Sequence, residues 1–89
     1  MKVEAITPSL AQRYGLQAGQ GLVVTSLSGD GPARQGGVAV GDQLVEVNHQ
    51  PVRTLADFQR SVHKTGPDGH VLLLLRRQET NFFAAIRVP

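Results

Sequence analysis

The spacing of apolar residues changes from two to nearly four and back along this chain, and the changes divide it into elements. Met1, Val3 and Ala5 alternate with Lys2 and Glu4, which predicts a short strand, at a sheet edge, running until Ile6-Thr7-Pro8 breaks the pattern. Thr7 can cap a helix whose first turn holds Pro8, whose apolar side is Leu10, Ala11 and Tyr14, and which Gly15 stops. A loop over Leu16 to Gln20 leads into a strand from Gly21 to Leu27, and a second apolar run, Leu44-Val45-Glu46-Val47, gives another strand. Between them, Ser28-Gly29-Asp30-Gly31 reads as a turn and Pro32-Ala33-Arg34-Gln35 as one helical turn ended by Gly36-Gly37. Gly41-Asp42 makes a further turn, its aspartate suited to accept backbone hydrogen bonds.

After Asn48, the run His49-Gln50-Pro51-Val52 predicts a turn and an extended stub. Thr54 and Asp57 form a T-x-x-D capping box, and Leu55, Phe58 and Val62 recur at i, i+3 and i+7, so 54–64 is expected to be the longer helix, with Lys64 near its negative end. Thr65 to Gly69 ends it. Val71 to Arg77 is a strand whose unbroken VLLLL run implies burial on both faces, and Gln78-Glu79-Thr80-Asn81 turns it into a last strand, Phe82 to Val88, to make a hairpin. The sum is an α+β, mainly β, arrangement of five or six short strands with two principal helices, in one domain over residues 1–89, without repeats or a linker.

Composition narrows the chemistry. With 40% hydrophobic residues, three Phe, one Tyr and no Trp, the core must be built from Val, Leu, Ile and Ala. The net charge is +2, but the nine Lys/Arg are scattered and never exceed two in a row, which is not the clustered footprint of a nucleic-acid binder. No aromatic is interleaved with basic residues on a strand, so an RNA-binding module is weakly supported. Arg76-Arg77 could touch phosphate, although two arginines on a strand usually form a solvated face. The absence of cysteine removes disulfide, zinc-thiolate and thiol-nucleophile readings. The longest apolar run, Val71 to Leu75, is far short of the roughly 20 residues that span a bilayer. Met1-Lys2-Val3-Glu4 has no signal-peptide core, and the chain is expected to be a piece of a longer protein.

Catalytic and metal constellations are equally lacking in the pattern. No G-x-S-x-G elbow occurs, and His49, His63 and His70 fall in a turn, at a helix end and at a strand start, without HExxH or i, i+4 pairing. The seven carboxylates are spread over caps and turns, and the stretch from Asp30 to Asp42 does not supply the alternating ligands of a calcium loop. No catalytic residue, cofactor or metal is expected.

The order of strand, Gly31-Pro32-Ala33, Gly37-Val38, Gly41-Asp42 and Val47-Asn48 resembles the middle of a PDZ domain. With Ile6-Thr7-Pro8-Ser9-Leu10-Ala11, Tyr14-Gly15-Leu16 and Gly21-Leu22-Val23-Val24, the resemblance covers nearly the whole length and is to the bacterial HtrA/Deg protease type, in which the groove strand comes first and a hairpin closes the domain. The tail, Val71 to Arg77 and then Asn81-Phe82-Phe83, is most similar to the second PDZ domain of those proteases. The resemblance implies a PDZ-like, partly open β-barrel capped by two helices. It also implies a non-catalytic peptide-binding module of a periplasmic serine protease, with peptides or unfolded-protein C-termini, the protease domain and the other PDZ domain of the parent chain as partners, and neither nucleic acid nor membrane. An assembly domain that docks onto other subunits without a free peptide ligand is the second reading.

In that family a C-terminal peptide adds as a strand between the groove strand and the second helix, and its carboxylate is held by backbone N–H groups of a Φ-Gly-Φ loop. Carried over, the groove strand is Met1, Lys2, Val3, Glu4 and Ala5, and the facing helix residues are Leu55, Gln59 and Val62, with Phe58 nearer the core. Met1 falls on the last Φ of the loop, so the carboxylate nest is expected to be incomplete here. From the residues themselves, Leu55 and Val62 fit a core stripe as well as a ligand pocket, and Gln59 fits a solvated position as well as a reader of ligand side chains.

Overall fold

The computed structural model describes residues 1–16, 21–27, 29, 31–63 and 70–87. Strands β1 (Lys2–Ala5), β2 (Leu22–Ser26), β3 (Gln43–Val47), β4 (Gln50–Pro51), β5 (His70–Arg77) and β6 (Thr80–Arg87) alternate with helices α1 (Pro8–Tyr14), α2 (Pro32–Gln35) and α3 (Leu55–His63). All strand pairs among the described residues are antiparallel, in the order β1-β2-β3-β5-β6 with the short β4 paired to β3 off this path, so β1 and β6 end the main run of strands with an open edge each. The mainly β architecture matches the expected one, including the one-turn helix at 32–35. The expected turn over Ser28–Gly31, Lys64 at the helix end, the stop over Thr65–Gly69 and the strand end at Val88 lie wholly or partly outside the described residues.

Capping chemistry sets the helices. The Thr7 hydroxyl oxygen accepts the Leu10 N–H at 3.1 Å, Pro8 follows where no donor is needed, and Gly15 at φ 68° closes α1 by donating its N–H to the Ala11 carbonyl. At the start of α3, Asp57 N–H donates to the Thr54 hydroxyl at 3.1 Å while the Asp57 carboxylate accepts the Arg53 N–H at 3.2 Å. That Arg53 hydrogen bond, helped by those from Thr54 and by the Arg60 charge, holds the Asp57 carboxyl below its ordinary value against a smaller opposing effect of burial.

Two hairpins turn earlier than the residue types suggest. Asn48 and His49 have φ of 51° and 67° and form the two-residue turn between Val47 and Gln50, so Pro51 sits in the short strand β4 rather than in the turn. Gln78 and Glu79, at φ 49° and 69°, are the whole turn between Arg77 and Thr80. Thr80 and Asn81, expected in that turn, are in β6.

The sheet buries its two faces against different partners. Leu22, Val24, Leu44, Val47, Val71, Leu73 and Leu75 point into the main core, where α3 contributes Phe58 and the loop after β4 contributes Val52. Val23, on the opposite face, is fully buried beneath Ile6 and Ala11, with Leu10, Tyr14 and Leu16 of the α1 region around them. Covering by α1 stops there. In β5, Val71, Leu73 and Leu75 are buried while Leu72 and Leu74 are only half-buried, so the VLLLL run is not buried on both faces as its composition suggests.

Asp42, the buried charged residue among the described residues, organises the end of the sheet. It is 1% exposed. Its Oδ2 accepts the Ala39 N–H at 2.8 Å, and the Arg77 guanidinium grips both carboxylate oxygens, Nε to Oδ1 and Nη2 to Oδ2, each at 2.7 Å. Arg77 Nη2 also donates to the Gly37 carbonyl at 3.0 Å, and its guanidinium carbon stands 4.7 Å from the Phe82 ring centre. Arg77 is therefore not part of a solvated arginine face; Arg76 beside it is exposed. The two Asp42 hydrogen bonds hold the Arg77 proton more tightly than in free arginine.

Candidate functional site

The open edge of β1 runs beside α3, which packs against both β1 and β3. Backbone groups of an antiparallel strand face alternate sides. Ile6 donates its N–H to the Gly21 carbonyl at 3.0 Å, so Glu4 also turns its N–H and C=O toward β2, while those of Val3 and Ala5 face the open side. The strand thus offers two residues' worth of donors and acceptors to an incoming extended chain.

At the Met1 end of this edge lies an apolar cavity of about 260 Å³, walled by Met1, Phe58 and Val62 on one side and Ala33, Val71, Leu73 and Ile86 on the other. The two α3 residues are one helical turn apart on a single face, and the remaining wall is the inner face of the β5–β6 hairpin closed by α2. Among the described residues, no charged side chain lines it. The nearest ion pair on α3, Arg60 to Asp57 at 3.8 Å, is exposed and lines a separate small pocket with Val47, Asn48, Gln50, Pro51 and Ser61. Such an edge and cavity can hold an extended backbone and one apolar side chain, sorted by hydrogen bonds and by shape respectively.

Of the eight residues named from the sequence, Met1 and Val62 meet in the cavity. Lys2 and Ala5 are exposed on β1, Val3 is buried in the main core, and Glu4 is half-buried on the α1 side. Leu55, 39% exposed, and Gln59 stand on α3 outside the cavity. Phe58, placed nearer the core by the family resemblance, does both jobs: it packs on the main core and walls the cavity. Ala33, Val71, Leu73 and Ile86 were not named from the sequence as site residues. Among the described residues, no three His, Cys, Asp or Glu side chains gather as a metal site, and no helix is long and apolar enough to cross a membrane.

Comparison with known proteins follows the same lines. A family model described as "PDZ domain" matches residues 23–77. The chain belongs to the PDZ-domain family. This PDZ domain is 35% identical over 60 residues, 67% of its length, to a probable periplasmic serine endoprotease, DegP-like, of Pseudomonas fluorescens. It is 31% identical over 81 residues, 85% of its length, to the protein of that description from Brucella suis biovar 1. Those matches span only 13% and 16% of the relatives. Among solved structures, HtrA-type protease AlgW with decapeptide superposes with a TM-score of 0.84 at 28% identity, covering 97% of this chain and 26% of that one. The HtrA3 PDZ domain bound to a phage-derived ligand, FGRWV, gives a TM-score of 0.78 at 28% identity, covering 98% and 79%.

Proposed function

We propose that the chain, as one PDZ unit over residues 1–89, is a non-catalytic peptide-binding module of a periplasmic HtrA/Deg-type serine protease. It takes an extended peptide as an added strand on β1, with an apolar terminal side chain in the cavity beside Met1, Phe58 and Val62. The observation that carries this reading is the juxtaposition of the open β1 edge, α3 and the cavity. The peptide-bound relatives, and the periplasmic protease names of the others, support it. Backbone pairing at Val3 and Ala5 supplies affinity that does not depend on sequence, while the cavity supplies preference for an aliphatic or aromatic end. Leu55 and Gln59 flank the strand further along the helix and meet the peptide's inner side chains. Hydrolysis belongs to a protease domain of the parent chain, and the domain alone leaves an unfolded protein such as casein intact.

The test is an amide-shift titration of the labelled domain with a short peptide ending in valine. Shifts are expected at residues 2–5 and 55–62, largest at Val3 and Ala5. Val62→Asp, which places a charge in an apolar cavity, should weaken binding by at least about tenfold, equivalent to about 1.4 kcal/mol. Shifts centred on Arg76 and Arg77, or unchanged affinity in a folded Val62→Asp variant, would reject the groove assignment.

A further inference from the structure

Among the described residues, no element covers the outer face of the β5–β6 hairpin. Leu74 lies directly across from Phe83 and Leu72 across from Ala85, and the same face of β3 adds Glu46 across from Leu74. Phe83 is 56% exposed, and its ring stands edge-on to His49, at 5.9 Å between centres and 61° between planes. On β2 this face is sealed by α1 over Val23; from β3 outward no described element lies over it, and Leu72 and Leu74 stay half-buried while Phe83 and Ala85 are exposed. Exposed Phe83 beside half-buried Leu72 and Leu74 makes an apolar stripe of the kind interaction surfaces use, on a strand whose composition suits two-sided burial.

Charge placement identifies the occupant. Glu46 and Arg76 flank the patch, and neither side chain has a hydrogen-bonding or ion-pair partner among the described residues. With strands ~4.8 Å apart and residues ~3.3 Å apart along each, Glu46 and Arg76 lie ~8 Å from one another, and the line equidistant from them passes within ~2 Å of both Leu74 and Phe83. A two-fold axis along that line stacks Leu74 and Phe83 on their own counterparts and sets Glu46 of each copy over Arg76 of the other. We infer that this face associates with a second copy of the same chain through a two-fold, self-complementary contact. The two sheets cross steeply, and the six residues of the patch, at ~32 Å² of sheet face each from those spacings, cover roughly 190 Å², far below the ~800 Å² per partner of a standard stable interface, so the dimer is weak.

A concentration series of the 89-residue chain from about 0.05 to 2 mM, followed by amide shifts and by sedimentation velocity, reads this out. The sedimentation coefficient is expected to rise with concentration, with shifts confined to Glu46, Leu72, Leu74, Arg76, Phe83 and Ala85. Phe83→Asp should abolish both effects, and because the ring is half in solvent its amide spectrum should otherwise match the parent. Glu46→Arg and Arg76→Glu should each weaken association at least threefold, and the double swap should restore it. The proposal fails if the chain stays monomeric throughout, if association persists in folded Phe83→Asp, if the shifts fall on β1 instead, or if the double swap is no better than the single changes.

Discussion

Replacing Arg77 with methionine tests whether the buried Asp42 carboxylate depends on its guanidinium partner. Methionine keeps an apolar stem of similar length and removes the guanidinium, with its contacts to Asp42, the Gly37 carbonyl and the Phe82 ring. Asp42 then retains one of three hydrogen bonds, that from Ala39 N–H, in a site that is 1% exposed. Stripping one partner from a fully buried ion pair costs about 3–5 kcal/mol, but the Arg77 side chain is 47% exposed, so solvent screening brings the expected loss to about 2–3 kcal/mol. For a domain of this size that is about 10–20 °C in Tm. Asp42→Asn keeps an acceptor for Ala39 and lets Arg77 turn to water, and should cost about 1–2 kcal/mol. Because most of the Arg77→Met loss is a stranded charge, adding Asp42→Asn should recover stability, leaving the double variant near Asp42→Asn alone. Urea unfolding followed by far-ultraviolet circular dichroism measures all four corners of the cycle. If the two losses add to within about 0.5 kcal/mol, or Arg77→Met melts with the parent, the pair is not coupled and the reasoning is wrong.

Gly41 and Gly37 have φ of 96° and 99°, but an added methyl at Gly41 would meet the Tyr14 ring at 3.1 Å whereas Gly37 opens onto free space. Gly41→Ala should therefore cost about 2–3 kcal/mol in urea unfolding and Gly37→Ala about 1–2, the difference being the Tyr14 contact. Exchanging the turn pair Gln78-Glu79 for Asn-Gly relieves two left-handed non-glycine residues and should raise Tm by about 4–8 °C, read from thermal scans. Asp57 has a folded pKa below its unfolded one, so its contribution is present above the ordinary carboxyl range and is lost as pH falls through the lowered folded value. Asp57→Asn should accordingly lower Tm at pH 7, with the gap to the parent closing in acid; a gap that stays constant with pH would contradict the capping account.

Local chemistry was readable in the chain, and pairings across it were not. Thr54 with Asp57, Thr7 with Pro8, and the positive φ at Gly37 and Gly41 each depend on residues within four positions, and all are as their types predict. Asp42 and Arg77 are 35 residues apart, and nothing joins them until β3 and β5 pair with Gln43 opposite Arg76. Gln78-Glu79 lacks the Asn or Gly that advertises a tight turn, so the sequence spread the turn over two extra residues. The leucines of β5 read alike whether the second face is covered by the same chain or by nothing, which is why Leu72 and Leu74 misled. Of the residues that wall the cavity, Met1 and Val62 could be named because the family resemblance pointed to both the strand and the helix face; the helical spacing alone fits a core stripe as well. The far wall, Ala33, Val71, Leu73 and Ile86, is assembled from three distant elements that only the folded sheet brings together.

The alternation along β1 also fixes how its amides behave in time. Glu4 and Ile6 turn their N–H groups toward β2, and the bond from Ile6 to Gly21 must open before its proton can leave. Val3 and Ala5, one residue away in each direction, hold theirs toward solvent and exchange without any opening step. From Val3 to Ile6 the chain thus alternates fast and slow protons, and a chain laid along its free side would erase the difference.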